Sequence, residues 1–199
     1  MQNGLFFILQ SLINLYLGAV ALRLGMQWVR ADYRNPIVQF IVKLTDPLIK
    51  PLQSVLAPIY KIDTATLVVF MLLQCLTVAV LSLLACTGGI PDPVSLLGIA
   101  VIRGLRLLLN LYFFVIFGYV LLSWISGGGY NPSLAMVSEL LRQLAEPVLA
   151  PVQRLIPPIA GFDLSPVFLL LGIQALTIAL AGPAQQLAGS AGCFLGALI

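Results

Sequence analysis

The chain has 199 residues, of which 60% are hydrophobic, 9% are charged and none is histidine. A soluble domain carries about 25% charged residues, so this chain has too little charge to cover a water-facing surface, and we predict an integral membrane protein. The formal net charge of +3 includes no basic run of the kind that binds nucleic acid. Without histidine, and without a CxxC pair among the three cysteines, we expect no metal or other cofactor.

Four apolar stretches are long enough to cross a bilayer, which takes about 20 helical residues. They lie at about 5–29, 64–85, 101–125 and 164–187. Strands of a membrane barrel would alternate in polarity and be half as long, so we predict an all-α membrane protein with four transmembrane helices. The N-terminal MQNGLFFILQ lacks a leading basic residue and a small-residue cleavage site, which favours a retained helix over a signal peptide.

A segment with a distinctive proline spacing occurs twice in the chain. DPLIKPLQSVLAPIYKID at 46–63 returns 100 residues later as EPVLAPVQRLIPPIAGFD at 146–163. Upstream, the matched pairs lie 96 residues apart: Trp28 and Trp124, Asn35 and Asn131, Pro36 and Pro132. The second copy therefore holds four extra residues, because 100 − 96 = 4. Self-similarity of this kind predicts one structural unit used twice.

The long connection inside each unit carries signals for helix starts. In Asn35-Pro36 the asparagine suits a cap and the proline suits the first turn, and Asn131-Pro132 repeats the pair. Asp46-Pro47 and Glu146-Pro147 give the same signal again, followed by apolar residues at helical spacing. We therefore predict two short amphipathic helices in each connection, broken at the DP or EP.

These predicted interfacial helices cover 36–60 in the first unit and 132–159 in the second. Pro51 and Pro151 are expected to kink the second helix of each pair. Such helices lie in the membrane interface or pack back against the bundle, and the sequence leaves both arrangements open.

The predicted unit is thus a span, two interfacial helices and a second span. The first unit covers 1–90, the second covers 91–187, and a tail follows at 188–199. Because each unit has two spans, the copies face the same way and are parallel repeats about an axis along the membrane normal. Seven basic residues follow the first and third spans and only Arg103 and Arg106 lie on the other side, which predicts cytoplasmic connections and external termini.

Two segments carry a family resemblance. WVRADYRNPIVQFIVKLTDPLIKPLQSVLAP and SWISGGGYNPSLAMVSELLRQLAEPVLAPVQRLIPPIAGFDLSP resemble the two signature segments of the YggT family, small bacterial membrane proteins with relatives in plastids. The resemblance implies four spans in two repeats, the bacterial inner membrane, and no established enzymatic activity. It also implies links with osmotic tolerance, with envelope growth and division, and with assembly of a membrane cytochrome complex.

The chain departs from the family pattern after the paired prolines. Relatives often carry a basic residue there, whereas this chain has Gln53 and Gln153, with Arg154 following only in the second copy. A loop that grips phosphate is therefore less well supported here than in those relatives.

Arg23 is the charged residue that we predict to lie within a span, about 9 Å inside the end of the first one. Such a charge faces the bundle interior or water, or its long side chain reaches the headgroups, and both readings stay open. We hypothesise that Arg23 pairs with Asp63 or Asp163 and holds two spans together. Tyr119 takes the matching place in the second copy.

Other polar residues have a structural and a functional interpretation. Asp63 and Asp163 precede spans and suit helix caps, with an ion site as the alternative. Gln74 and Gln174 lie deep in the second and fourth spans, where we expect them to face each other across the repeat interface as structural contacts or to line an ion path.

Two further interpretations concern the outer side. We expect Arg103 and Arg106 to anchor at the outer headgroups, with an anionic-lipid site as the alternative. Cys86 and Cys193 both lie outside in this topology, where a disulfide would be allowed.

Two functions from different classes compete. The preferred one is a non-enzymatic scaffold or assembly factor for other membrane proteins, linked to envelope or osmotic homeostasis. The alternative is a small transporter or channel component in ion and osmotic homeostasis. No nucleophile–base pairing or metal spacing favours an enzyme. We expect membrane lipids and other membrane proteins, or a second copy, as partners, and no nucleic acid.

Overall fold

The computed structural model describes residues 2–54, 56, 63–85, 90–125, 132–155 and 163–190. These ranges are helical apart from short connections, and they form seven helices: α1 Gln2–Val29, α2 Pro36–Gln53, α3 Thr64–Ala85, α4 Pro93–Ile125, α5 Pro132–Leu155, α6 Ser165–Ala179 and α7 Ala181–Ser190. Four segments are long and apolar enough to cross a membrane: Phe7–Val29, Thr64–Leu83, Pro93–Trp124 and Ser165–Leu187. An all-α protein with four candidate spans is confirmed.

The third span begins at Pro93, eight residues before the predicted start at 101. The cause is Asp92, whose carboxylate accepts a hydrogen bond from the Ser95 backbone N–H at 3.0 Å, which is the geometry of a helix cap. The same bond lowers the pKa of Asp92. The predicted start at 101 was therefore wrong, and as a consequence Arg103 lies inside α4 and not at its start.

The fourth span is divided at Leu180, between α6 and α7. Pro183 has no N–H to donate to the carbonyl of Ala179, so the regular hydrogen-bond pattern cannot continue through this turn. The irregularity is local, because the Leu180 N–H donates to the Leu176 carbonyl at 3.0 Å and the Ala184 N–H donates to the Leu180 carbonyl at 3.4 Å. The predicted fourth span at 164–187 is confirmed as the candidate span Ser165–Leu187.

α2 and α5 are each one helix, whereas two helices broken at the DP or EP were predicted. Pro47 and Pro51 lie inside α2, and Pro147 and Pro151 lie inside α5. A proline removes the hydrogen bond to the carbonyl four residues earlier. In α2 those carbonyls belong to Lys43 and Pro47, which are both exposed, so solvent can bind them and the helix continues. The remainder of each predicted interfacial segment, beyond Leu56 and beyond Leu155, lies outside the described residues.

α4 is the central helix of the bundle. It packs against α1, α3, α5, α6 and α7, while α1, α2 and α3 also pack on one another. One core cluster joins five helices through Met26 of α1, Val38 of α2, Ile116 of α4, Leu144 of α5 and Ile173 of α6. α4 and α3 approach closely at Gly104, where an added Cβ would lie 3.1 Å from the Phe70 ring.

Large apolar side chains also cover the outside of the bundle. Leu15, Val94 and Ile178 are each more than 70% exposed. A soluble monomer rarely carries so much contiguous apolar surface, and lipid is the solvent that suits it.

α1 ends in a tight hydrogen-bonded cap. The N–H of Arg30 donates to the carbonyl of Gln27, and the N–H of Ala31 donates to that of Met26 at 2.9 Å. This is a Schellman motif, which usually has glycine in the left-handed position. Here Arg30 takes it with φ of 53°.

Candidate functional site

Arg23 is buried, and its guanidinium joins α1 to α2. Nη1 donates to the Asp46 carboxylate at 2.8 Å, to the Thr45 hydroxyl at 2.8 Å and to the Val42 carbonyl at 3.1 Å. The hypothesis that Arg23 pairs with Asp63 or Asp163 was therefore wrong about the partner. The helix α2 folds back against α1 and brings a nearer carboxylate to it.

The α1–α2 ion pair (Arg23 with Asp46) is shielded from solvent. The Arg23 side chain is 6% exposed and the Asp46 side chain is 17% exposed. Burial raises the pKa of Asp46, but the hydrogen bonds from Lys50 and Arg23 outweigh it, so the pKa lies below its ordinary value. Because its carboxylate is held by these two cations, Asp46 does not cap a new helix at Pro47.

The second half of the chain has no equivalent of this pair. Tyr119 stands in place of Arg23, and Ala145 in place of Thr45. Glu146 instead pairs with Arg142 at 3.0 Å on the surface, where both side chains are at least half exposed. Exposed pairs contribute little, about 0–1 kcal/mol. The α1–α2 ion pair is thus a feature of the first half.

The predicted cap residues lie at helix starts. The Asn35 carboxamide oxygen accepts from the Ile37 N–H at 2.9 Å, with Pro36 in the first turn, as predicted. Asp63 accepts from the Ala65 N–H at 3.1 Å, and Asp163 accepts from the Ser165 N–H at 2.9 Å. These contacts favour the capping interpretation of both aspartates over an ion site.

Each of these aspartates also accepts a hydrogen bond from a glutamine near the end of the preceding helix. Gln53 donates to the Asp63 carboxylate, and Gln153 donates to the Asp163 carboxylate at 2.8 Å. Burial raises the pKa of Asp163, but the hydrogen bonds from Ser165 and Gln153 outweigh burial, so the pKa lies below its ordinary value. The glutamines where relatives often carry a basic residue therefore act as clamps between α2 and α3 and between α5 and α6.

A second buried group, the central polar cluster (Asn14, Gln74 and Arg103), joins three spans. Arg103 of α4 donates from Nη2 to the Asn14 carboxamide of α1 at 2.9 Å and from Nε to the Gln74 carboxamide of α3 at 3.3 Å. Gln74 is fully buried and Arg103 is 8% exposed. The predicted outer-headgroup position of Arg103 was wrong, because α4 starts ten residues before it.

A groove opens beside this cluster, between α1, α2 and α4. The α1–α2–α4 groove has a volume of about 820 Å³. Ser11, Asn14, Arg103, Arg106 and Asn110 form its polar part, and the rest of its wall is apolar. The sequence did not predict it, although the helix-start signal at Asp92-Pro93 could have placed both arginines deep in the span.

The remaining predicted residues are not brought together. Gln74 contacts Arg103 and not Gln174, and α6 packs on α4, α5 and α7. Arg154, Pro147 and Pro151 are exposed on α5. α5 starts at Pro132 as predicted, whereas Asn131, Cys86 and Cys193 lie outside the described residues. Among the residues placed by the structure, no three His, Cys, Asp or Glu side chains form a group that could hold a metal ion.

Comparisons with known proteins identify a family. The family model described as CCB3/YggT matches residues 2–84 and 98–184. The protein named YggT in Escherichia coli K12 is 36% identical over 184 residues, which is 90% of each chain. An uncharacterised Pseudomonas aeruginosa protein is 36% identical over 194 residues, covering 94% of this chain and 96% of the relative. One from Haemophilus influenzae is 32% identical over 192 residues, covering 94% and 98%. No solved structure matches the chain.

Proposed function

The chain belongs to the CCB3/YggT family, and from this premise we propose that it is a non-enzymatic scaffold or assembly factor for other membrane proteins. The observation that carries the proposal is the α1–α2–α4 groove. It is open to the apolar surface of the bundle, and two of its side chains are arginines. An open recess with mostly apolar walls suits association with another membrane segment more than closed packing of a single chain.

The proposed architecture is two parallel repeats, each a span, a surface helix and a span. Arg103 contacts Asn14 while Tyr112 contacts Trp28 with ring centroids 6.4 Å apart, so α1 and α4 run in the same direction. The matched glutamine–aspartate clamps, 100 residues apart, also support this arrangement.

The start of α2 meets α5 in this arrangement. The Asn35 carboxamide, at the cap of α2, donates to the Met136 carbonyl of α5 at 2.9 Å, and the Asp32 N–H donates to the Gln143 carboxamide oxygen of α5 at 3.3 Å. In the proposed function, α2 and α5 together act as one amphipathic platform, which would meet partner segments at the membrane surface.

The proposed location is the bacterial inner membrane, with this platform in the cytoplasm and both termini outside. The basic residues after the first and third spans support this orientation. A reporter enzyme that works only outside the cytoplasm should be active when it is fused to the C-terminus. Activity from a reporter that works only in the cytoplasm would instead reverse the proposed orientation.

The scaffold function is tested by gentle detergent purification after crosslinking in membranes. We expect a membrane protein partner in a fixed ratio to the chain. Recovery of the chain with lipid alone, at every crosslinker length tried, would contradict the scaffold function.

The second candidate is a transporter or channel component in ion or osmotic homeostasis, and the central polar cluster favours it. Arg103 and Arg106 lie within α4, so Arg23 is not the only charged residue inside a span. If the chain transports ions, the pure protein in proteoliposomes should show ion flux. Replacement of Gln74 should abolish this flux and replacement of Gln174 should not, because Gln74 contacts Arg103 and Gln174 does not. Absence of flux with a partner present would favour the scaffold.

A further inference from the structure

The central polar cluster lies at mid-depth in the first pair of spans. Gln74 is ten residues from the first residue of the 22-residue α3, about 15 Å along the axis. Asn14 is twelve residues into the 28-residue α1, about 18 Å. Arg103 bonds both side chains, so its guanidinium is far from both surfaces, whichever side of the membrane faces the cytoplasm.

The groove beside the cluster is positively charged. Arg103 and Arg106 are three residues apart, on the same face of α4, and both line the groove. Arg106 makes no hydrogen bond or ion pair with the part of the chain that the structure describes. All seven Asp and Glu residues of the chain lie outside the four candidate spans. Cations at this depth are costly, and an anion from another molecule would stabilise them.

The α1 side of the groove leaves space for the backbone of another helix to come close at Gly18. Gly18 lines it, and a Cβ built there would meet no atom within 4 Å. Phe40 and Phe114 line the groove and are each more than 60% exposed. A glycine at an open face allows another helix backbone to approach closely, as in packed membrane helices.

The depth of the groove in the membrane and its positive charge together indicate which kind of molecule binds there. Phosphate groups of lipids lie at the surface, about 15 Å from the bilayer centre, whereas a carboxylate on a spanning helix can lie at mid-depth. A second copy of this chain has no acidic residue in its spans to supply that carboxylate. The occupant must therefore be a different membrane protein.

We propose that the α1–α2–α4 groove docks a transmembrane helix of another membrane protein that carries one Asp or Glu at mid-span, with the carboxylate bound by Arg106 and Arg103. This assignment rests on the scaffold function proposed above and gives the partner's chemistry.

The probe is a synthetic 24-residue Leu/Ala helix with one central Glu, compared with the same helix carrying Gln. Energy transfer between labelled full-length protein and labelled helix is measured at pH 8 in vesicles of zwitterionic lipid. We expect the Glu helix to bind about 5- to 30-fold more tightly, which corresponds to the roughly 1–2 kcal/mol that a polar contact between membrane helices contributes.

The variants distinguish the contribution of the arginine charge to helix binding from the contribution of the shape of the groove. Arg106→Gln should reduce binding of the Glu helix to that of the Gln helix, while Arg106→Lys should retain most of it. Gly18→Leu should block both helices by filling the groove. Arg34→Gln removes one positive charge from an exposed position outside the spans and should change nothing. Unchanged circular dichroism and unfolding of each variant shows that the fold is intact.

Two results would overturn the assignment. One is equal binding of the Glu and Gln helices. The other is loss of Glu-helix binding when phosphatidylglycerol is added to the vesicles, with no such effect of phosphatidylglycerol in Arg106→Gln. The groove would then be a lipid site that depends on Arg106. If crosslinking still recovers a partner with Arg106→Gln, the scaffold function stands and only this docking assignment fails.

Discussion

Removing Asp46 tests the α1–α2 ion pair most sharply. In Asp46→Leu the Arg23 guanidinium keeps its burial but loses its carboxylate, and its Nε already has no partner among the residues described. Breaking a buried pair from one side costs about 3–5 kcal/mol. We take about 3 kcal/mol, the lower end of that range, because the Asp46 side chain retains 17% exposure.

Unfolding in mixed detergent micelles, followed by circular dichroism, measures the loss. About 3 kcal/mol corresponds to a fall in Tm of roughly 6–12 °C for a chain of this size. The matched control is Glu146→Leu, which removes the exposed partner of Arg142 and should cost under about 1 kcal/mol. The double variant Arg23→Leu/Asp46→Leu should recover most of the loss, because no buried charge is left unpaired. Equal losses from Asp46→Leu and Glu146→Leu would show that the buried α1–α2 ion pair stabilises the fold no more than an exposed one.

The same carboxylate should make stability depend on acid. The pKa of Asp46 is lowered in the folded protein, so its contribution to the free energy of unfolding is complete above the ordinary pKa of about 3.9 and is lost as pH falls through the lowered value. Tm should therefore be flat from pH 8 to 5 and drop below about pH 4, and the drop should be smaller in Asp46→Asn. Arg30→Gly should raise stability by about 1 kcal/mol in the same unfolding assay, because glycine suits the left-handed position; a loss would mean that the Arg30 side chain stabilises the fold. Gly104→Leu should lower stability by about 2 kcal/mol through overlap with Phe70, whereas a Cβ at Gly172 would meet no atom within 4 Å, so Gly172→Leu should be neutral; equal effects would contradict the close packing of α3 and α4.

Features set by neighbouring residues could be predicted from the sequence. The cap at Asn35 depends on the two residues after it, and the α3 range of 64–85 depends on one apolar run that follows Asp63. In both cases the chemistry that ends or starts the helix is within one turn. The four spans were predictable for the same reason, since length and hydropathy are local properties.

Features set by contacts between distant helices could not be predicted. Asp46-Pro47 and Asp92-Pro93 have the same two residues, yet the first lies within a helix and the second starts one. The difference is Arg23, which occupies the Asp46 carboxylate from another helix. Likewise the depth of Arg103 depends on where α4 starts and on how α4 packs against Asn14.

The scaffold function is tested most directly by photocrosslinking in intact membranes from inside and outside the groove. A photoreactive residue at Phe114 lines the groove, and one at Leu176 is exposed on α6 away from it. We expect one discrete protein adduct from position 114, lost with Arg106→Gln, and lipid adducts alone from position 176. The same adducts from both positions, or lipid alone from position 114, would contradict it.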